Sequence, residues 1–125
     1  MSADNPSPQV VEQRVRNLII EYVQMVSQYK TGEMPGLIEV ICMWEDYVFR
    51  PLTSHHFQEP VYAPIEKVAL ENVDRAWADF ATNTTPEMVY ENELAALTTP
   101  EWHALVLAAL NAAEVLSERG KLSED

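Results

Sequence analysis

Proline stands at three places in the second half of this chain where a helix accepts it and a central strand does not. Pro64 opens an amphipathic run, and Pro86 and Pro100 sit inside two Thr-Pro-Glu tripeptides, Thr85-Pro86-Glu87 and Thr99-Pro100-Glu101. In each tripeptide the threonine hydroxyl can cap. The proline takes the first helical position, where its missing N–H has no intrahelical partner to lose, and the glutamate meets the positive end of the helix. The chain has only three glycines in 125 residues, and no stretch alternates apolar and polar side chains with a period of two. The expected fold is all-α: a single-domain bundle of four to five helices around a central apolar helix.

Apolar spacing places the individual helices. The first should run from Pro8 to Lys30 and stop near Gly32, with residues 1–8 as a frayed lead-in. Val11, Val15, Leu18, Tyr22, Met25 and Tyr29 follow a 4-3-4-3-4 spacing, a heptad seam, and Arg14, Asn17, Glu21, Gln24 and Gln28 lie opposite. Ile20 and Val23 fall outside that seam and imply a second contact face. After the turn GEMPG, a second helix from Leu37 to Arg50 is apolar almost all round, which predicts the central position. Asp46 shares its polar edge with Glu39, whereas Glu45 projects between Ile38, Ile41 and Phe49. Pro51 ends this helix, because proline disfavours helical geometry in the residue before it.

A long connection over residues 51–63 leads to a helix from Pro64 to Ala81. Its core stripe is Ile65, Ala69, Val73, Ala76, Trp77 and Phe80, and Lys67, Glu71, Asp74 and Arg75 face outward. The first Thr-Pro-Glu opens a short helix to Leu97. The second opens a long one to Arg119, with Trp102, Leu105, Val106, Ala109, Leu110, Ala113 and Leu116 inward, His103 on its solvated face and Gly120 as its stop. Residues 120–125 read as a polar tail.

Charge narrows the function. Twenty acidic residues against eight basic ones give a formal charge of −12. Between Ala76 and Glu118 there is no Lys or Arg, while Asp79, Glu87, Glu91, Glu93, Glu101, Glu114 and Glu118 all fall there. Such a field repels phosphate backbones and attracts cationic proteins, so a protein partner is expected and nucleic acid is not. No apolar run approaches the ~18 residues of a membrane span. The N-terminal MSADNPSPQ lacks the basic start and apolar core of a secretory signal, and the lone Cys42 has no internal disulfide partner. A cytoplasmic location is expected. Cys42, in mid-helix among apolar neighbours, reads as a small hydrophobe rather than a nucleophile.

Chemistry-bearing side chains are densest in WEDYVFRPLTSHHFQEP, Trp44 to Pro60. His55 and His56 could join Glu45, Asp46 or Glu59 around a metal. There is, however, no HExxH, ExxH or CxxC spacing, and adjacent loop residues point in different directions, so no metal or cofactor is expected. An acid–base pair would need Glu45 to converge with His55 and His56; the competing expectation is that Glu45 pairs with Arg14, Arg16 or Arg50 or reaches solvent. No nucleophile or phosphate-binding loop accompanies it. Phe57 and Tyr62, on a loop between acidic positions, either pack onto the second and third helices or form a hot spot for an Arg/Lys-rich partner. The candidate contact residues are Glu45, Asp46, Phe57, Glu59, Tyr62, Glu87, Glu91 and Glu93.

Two patches, RVRNLIIEYV from Arg14 to Val23 and WEDYV from Trp44 to Val48, resemble segments of small bacterial proteins of toxin–immunity loci. The whole chain, small, acidic and helical, likewise resembles immunity proteins, which neutralise a basic nuclease by presenting carboxylates where it would hold phosphate. The resemblance implies a cationic partner such as a nuclease-type toxin; immunity proteins share no common fold, so no residue roles transfer with it. The expected function is a non-enzymatic, acidic protein-binding domain. The alternatives are a small metal-dependent or acid–base enzyme using Glu45, His55 and His56, and a homodimeric adaptor joined through the first helix's heptad seam.

Overall fold

The computed structural model describes residues 7–30, 35–53 and 55–124. The described residues form six helices and no strands: α1 (Pro8–Ser27), α2 (Leu37–Tyr47), α3 (Pro64–Asn83), α4 (Pro86–Glu91), α5 (Glu93–Leu97) and α6 (Pro100–Ser117). The start signals act as their chemistry dictates. Thr85 Oγ1 accepts from Met88 N–H and Thr99 Oγ1 from Trp102 N–H, each with proline at the next position. Ser7 caps α1 in the same way. The helix expected over Thr85–Leu97 divides in two at Asn92, whose backbone leaves the helical region and whose side chain caps α5 by accepting from Ala95 N–H. The turn expected at Gly32 and residues 1–6 of the expected lead-in lie outside the described residues, whereas Ser7 and Pro8 of that lead-in form the start of α1.

The central apolar helix is α6 rather than α2. It packs against both α1 and α3 and runs antiparallel to each: Phe80 stacks with Trp102 at 5.1 Å and Tyr29 with Trp102 at 5.7 Å, while Glu66 and Arg16 meet its C-terminal end. Small residues allow this, because Ala109 and Ala112 are fully buried and let the neighbouring backbones approach. Gly120 adopts the left-handed conformation at φ 68° and returns its N–H to Leu116 O at 2.8 Å, stopping the chain where the sequence placed the stop. Leu110, expected inward, is exposed, and Ala112 takes its place in the core. Helix α2 buries only Leu37, Val40 and Trp44. It ends at Tyr47, three residues before Arg50, because Val48 is already extended. Cys42 is exposed on it, so the expected apolar setting does not hold.

Helix α1 is rotated from its expected orientation. The heptad seam is only partly inside: Tyr22 is buried and Val15, Met25 and Tyr29 pack against the core, but Val11 is 45% and Leu18 43% exposed. The buried face is Gln13, Arg16, Asn17, Ile19, Ile20, Tyr22, Val23 and Val26. Asn17, expected outside, is inside. The cause is polar, since these side chains hold the chain's C-terminal segment. Gln13 donates to Ser123 O, Arg14 to Glu124 O at 3.1 Å and Asn17 to Leu122 O at 2.8 Å; Asn17 also accepts from Leu122 N–H at 2.9 Å. The polar tail is thus docked along α1 up to Glu124.

One carboxylate organises that arrangement. Glu66, in the first turn of α3, accepts from both Nη1 and Nη2 of Arg16 at 2.8 and 2.9 Å, from Arg119 Nη2 at 2.5 Å and from Ala63 N–H at 2.8 Å. Arg16 is fully buried and also donates to Val61 O and Gly120 O. The network joins α1, α3, the connection and the end of α6, and no described buried side-chain N or O lacks a partner. This explains why Ile65, expected in the core, is exposed: rotation of α3 turns Glu66 inward. The same rotation buries Asp74, expected outside, where it accepts from Trp44 Nε1 at 2.9 Å and Arg50 Nε at 2.8 Å. Arg50 lies over the Trp77 ring at 4.8 Å, and Trp77 Nε1 donates to Ile41 O, so α2 is pinned to α3 by both tryptophans.

Burial alone would raise the pKa of Glu66. Hydrogen bonds from Arg16, Arg119 and Ala63, together with the charge of Arg16, outweigh that and hold it at about 2, below its ordinary 4.5. A depressed carboxylate contributes stability above its unfolded pKa and loses it as pH falls, here between about 4.5 and about 2. Glu66→Gln is expected to remove this component, of order 3 kcal/mol, and flatten the acid limb of a urea-denaturation pH series. Glu66→Ala, which strands a buried guanidinium, should cost about 3–5 kcal/mol at neutral pH.

Candidate functional site

The groove is built where the exposed part of α1 meets the end of α2. Antiparallel pairing of these helices sets Val11, Glu12, Val15 and Ile19 across from Tyr47, Val48 and Phe49. The extended backbone at Val48 swings Phe49 out of the helix, so its side chain is 86% exposed at the groove's edge. The connection closes the third side with His55, His56, Phe57 and Tyr62. The hollow has a volume of about 320 Å³, room for one large side chain.

Its floor is rigid. Phe57 has φ 55°, a conformation costing a non-glycine residue about 1–2 kcal/mol. Burial compensates: the ring packs edge-on against Tyr62 at 5.2 Å, and Tyr62 in turn carries the Arg16 guanidinium at 5.6 Å. Burial first, with the charges of Glu12 and Glu66, drives the Tyr62 hydroxyl pKa upward against the opposing charge of Arg16, so the phenol stays neutral. His56 accepts through Nδ1 from Thr53 N–H at 3.0 Å. His55 N–H donates to Thr53 Oγ1, so the histidine pair is organised by a local turn. Of the two expectations for Phe57 and Tyr62, packing against the bundle holds and a side chain offered to a partner does not: both are buried and line the groove.

The remaining candidates separate. Glu45 and Asp46 are exposed on α2, and neither lines the groove. Arg50, which might have taken Glu45, is bound to Asp74; that hydrogen bond is the main reason its pKa is raised, with a smaller contribution from the charge of Glu45. His55 and His56 face the groove, so Glu45 does not join them around one point. Among the described residues no three or more His, Cys, Asp or Glu side chains gather as a metal would require. Glu59, in the connection, is exposed and lies with Pro60 and Ala63 beside Arg119.

Glu87, Glu91 and Glu93 belong to the other end of the bundle. Glu87 and Glu91 are exposed, while Glu93 accepts from Tyr29 Oη at 2.7 Å, just beyond α1. Arg16 and Tyr29 are separated by roughly 20 Å along the chain's helical rise, so the candidate carboxylates form two surfaces rather than one. Beside the second surface, Tyr90 is 72% and Leu94 60% exposed. The sequence reading overlooked Tyr90, Leu94 and Phe49 as surface residues. Val11 and Leu18 were visible as a seam, but were assigned inward.

What this constellation can do is bury an apolar group beside carboxylates. Cys42 does not line the groove, and Thr53 Oγ1 is engaged with His55 N–H and His56 Nδ1. No helix among the described residues is long and apolar enough to cross a membrane.

The two phenylalanines should behave oppositely under denaturation. Phe57→Ala removes a buried ring and is expected to cost about 3–5 kcal/mol. Phe49→Ala should stay within about 0.5 kcal/mol of the parent, since the fold makes little use of that ring. Equal losses at both positions would mean that Phe49 is part of the core. No protein-family model, curated protein or solved structure matches this chain.

Proposed function

We propose that this chain is a non-catalytic protein-binding domain whose partner is a cationic protein, such as a basic toxin of the kind that immunity proteins neutralise. The observation that carries the reading is the exposed carboxylate surface, with no Lys or Arg between Ala76 and Glu118 to offset it. Arg16, Arg50, Arg119 and Lys121 are engaged in ion pairs with only three carboxylates, Glu66, Asp74 and Glu21. Of these groups only Arg16, Glu66 and Asp74 are buried, and Arg50, Arg119, Lys121 and Glu21 remain at the surface of a molecule whose formal charge is −12. Exposed Glu45, Asp46, Glu59, Glu87 and Glu91 stand where a partner's arginines and lysines would find them, with exposed aromatic rings nearby. Opposite charge speeds encounter, and apolar contacts then lengthen the life of the complex.

The reading has a direct physical consequence. Affinity for the native partner, isolated by co-purification with the tagged chain, is expected to fall at least about tenfold between about 50 and about 300 mM salt, mostly through the association rate. Binding that does not change with salt would remove the electrostatic basis of the proposal. A gene for a basic, toxin-like protein directly upstream is the expected neighbour, and a metabolic operon would count against the toxin assignment.

A further inference from the structure

Helix α1 carries two usable faces, and its own fold consumes only one. The Arg16 face is locked to Glu66 and the C-terminal segment, which leaves Val11 and Leu18 exposed beside α2, with Val15 half-buried between them. Leaving a large apolar side chain in water forgoes stabilisation that burial would supply, so an apolar strip next to a formed groove calls for a partner surface.

The strip has two hollows, not one. The first is the groove beneath Phe49. The second lies further along the same α1–α2 seam, lined by Leu18, Glu21, Tyr22, Met25, Met43 and Tyr47, with a volume of about 290 Å³. Tyr47 borders both. Two of the four α1 residues of the first hollow have counterparts seven positions later in the second, Val11 with Leu18 and Val15 with Tyr22. At 1.5 Å per residue that is roughly 10 Å, the distance between residues i and i+7 on a helix laid alongside.

The charges select the occupant. Glu12 borders the first hollow and Glu21 the second, and no Lys or Arg lines either. The hydroxyl of Tyr47, between them, is raised in pKa by burial first and then by the charges of Asp46 and Glu21, so both carboxylates act on the strip between the hollows. Glu21 also has Lys121 at 3.4 Å, an exposed pair that competes weakly with an incoming cation. A second copy of this chain would set Glu12, Glu21 and Asp46 against their own equivalents, so self-association is opposed by charge.

We propose that the α1–α2 seam is the docking site for a basic amphipathic helix of the partner protein, with apolar side chains at i and i+7 entering the two hollows and flanking lysines or arginines meeting Glu12, Glu21 and Asp46. This rests on the reading of the chain as a binder of a cationic protein and adds the place and the form of the contact. It follows the helix-in-groove mode of recognition. The acidic α4–α5 end then contributes long-range attraction and makes no contact with that helix.

The test uses the full chain and two synthetic lysine-rich helical peptides of equal charge, labelled for fluorescence anisotropy. One carries leucines at an i,i+7 pair, and the other has serines at both positions. At about 150 mM salt the leucine peptide is expected to bind at least about tenfold more tightly than the serine peptide. Leu18→Ser and Phe49→Ser should each erase most of that difference without moving the thermal midpoint, whereas Glu87→Gln with Glu91→Gln should weaken both peptides alike. Equal binding of the two peptides, or a leucine preference that survives Leu18→Ser and Phe49→Ser, overturns the assignment of the seam while leaving the cationic-partner reading in place. Failure of both peptides to bind even at about 20 mM salt removes that reading as well. Sedimentation showing a dimer that Leu18→Ser abolishes would make a second copy the occupant and overturn the proposal.

Discussion

The Glu66 carboxylate is the point on which the rest of the molecule depends. A buried anion in this position would be prohibitive without compensation, and two guanidinium groups and a backbone N–H supply it. Satisfying that one group sets three larger features. It turns α1 so that Arg16 points inward, turns α3 so that Ile65 points outward, and draws the end of α6 against the connection through Arg119. Once Arg16 is inside, Gln13 and Asn17 follow it on the same face, and the C-terminal segment supplies their partners.

The exposed apolar strip is the other side of that rotation. A helix has only one circumference; committing the Gln13–Arg16–Asn17 face to a polar network leaves Val11, Val15 and Leu18 elsewhere. The same network fixes the floor of the groove, because Arg16 lies over Tyr62 and Tyr62 supports Phe57. The element that stabilises the bundle therefore also shapes its outer recess. Of the cations that neutralise Glu66 and Asp74, only Arg16 is drawn inward, and Arg50 and Arg119 reach their carboxylates from the surface.

Much of the backbone was legible, because capping and proline chemistry act within one helical turn. Thr85, Pro86, Thr99, Pro100, Pro64 and Gly120 mark their boundaries by local geometry, and each stands where it was read. The interior orientation of the helices was far less legible. Tyr22, Trp77, Phe80, Trp102 and Leu105 were assigned inward and are inward, since a large ring or leucine in the middle of an apolar stripe has few alternatives. Polar residues defeated the same logic. Arg16, Glu66 and Asp74 are charged, and hydropathy alone sends them outward; only a partner fifty residues away in the chain, as Glu66 is from Arg16, makes their burial favourable. The groove was hidden for the same reason, although its constituents Phe57, Tyr62, His55 and His56 had all been singled out.

By itself, the sequence determined an all-α chain, most of its helix starts, its acidic character and the stretch without a cation from Ala76 to Glu118. These are properties of local covalent geometry and of composition, and they need no knowledge of what lies across the bundle. Tertiary structure alone decided which helix is central, which face of α1 is buried, and that Glu45 stays apart from His55 and His56. Those outcomes depend on pairing charges distant in sequence, and the energy of a buried ion pair exists only when both partners have been brought together.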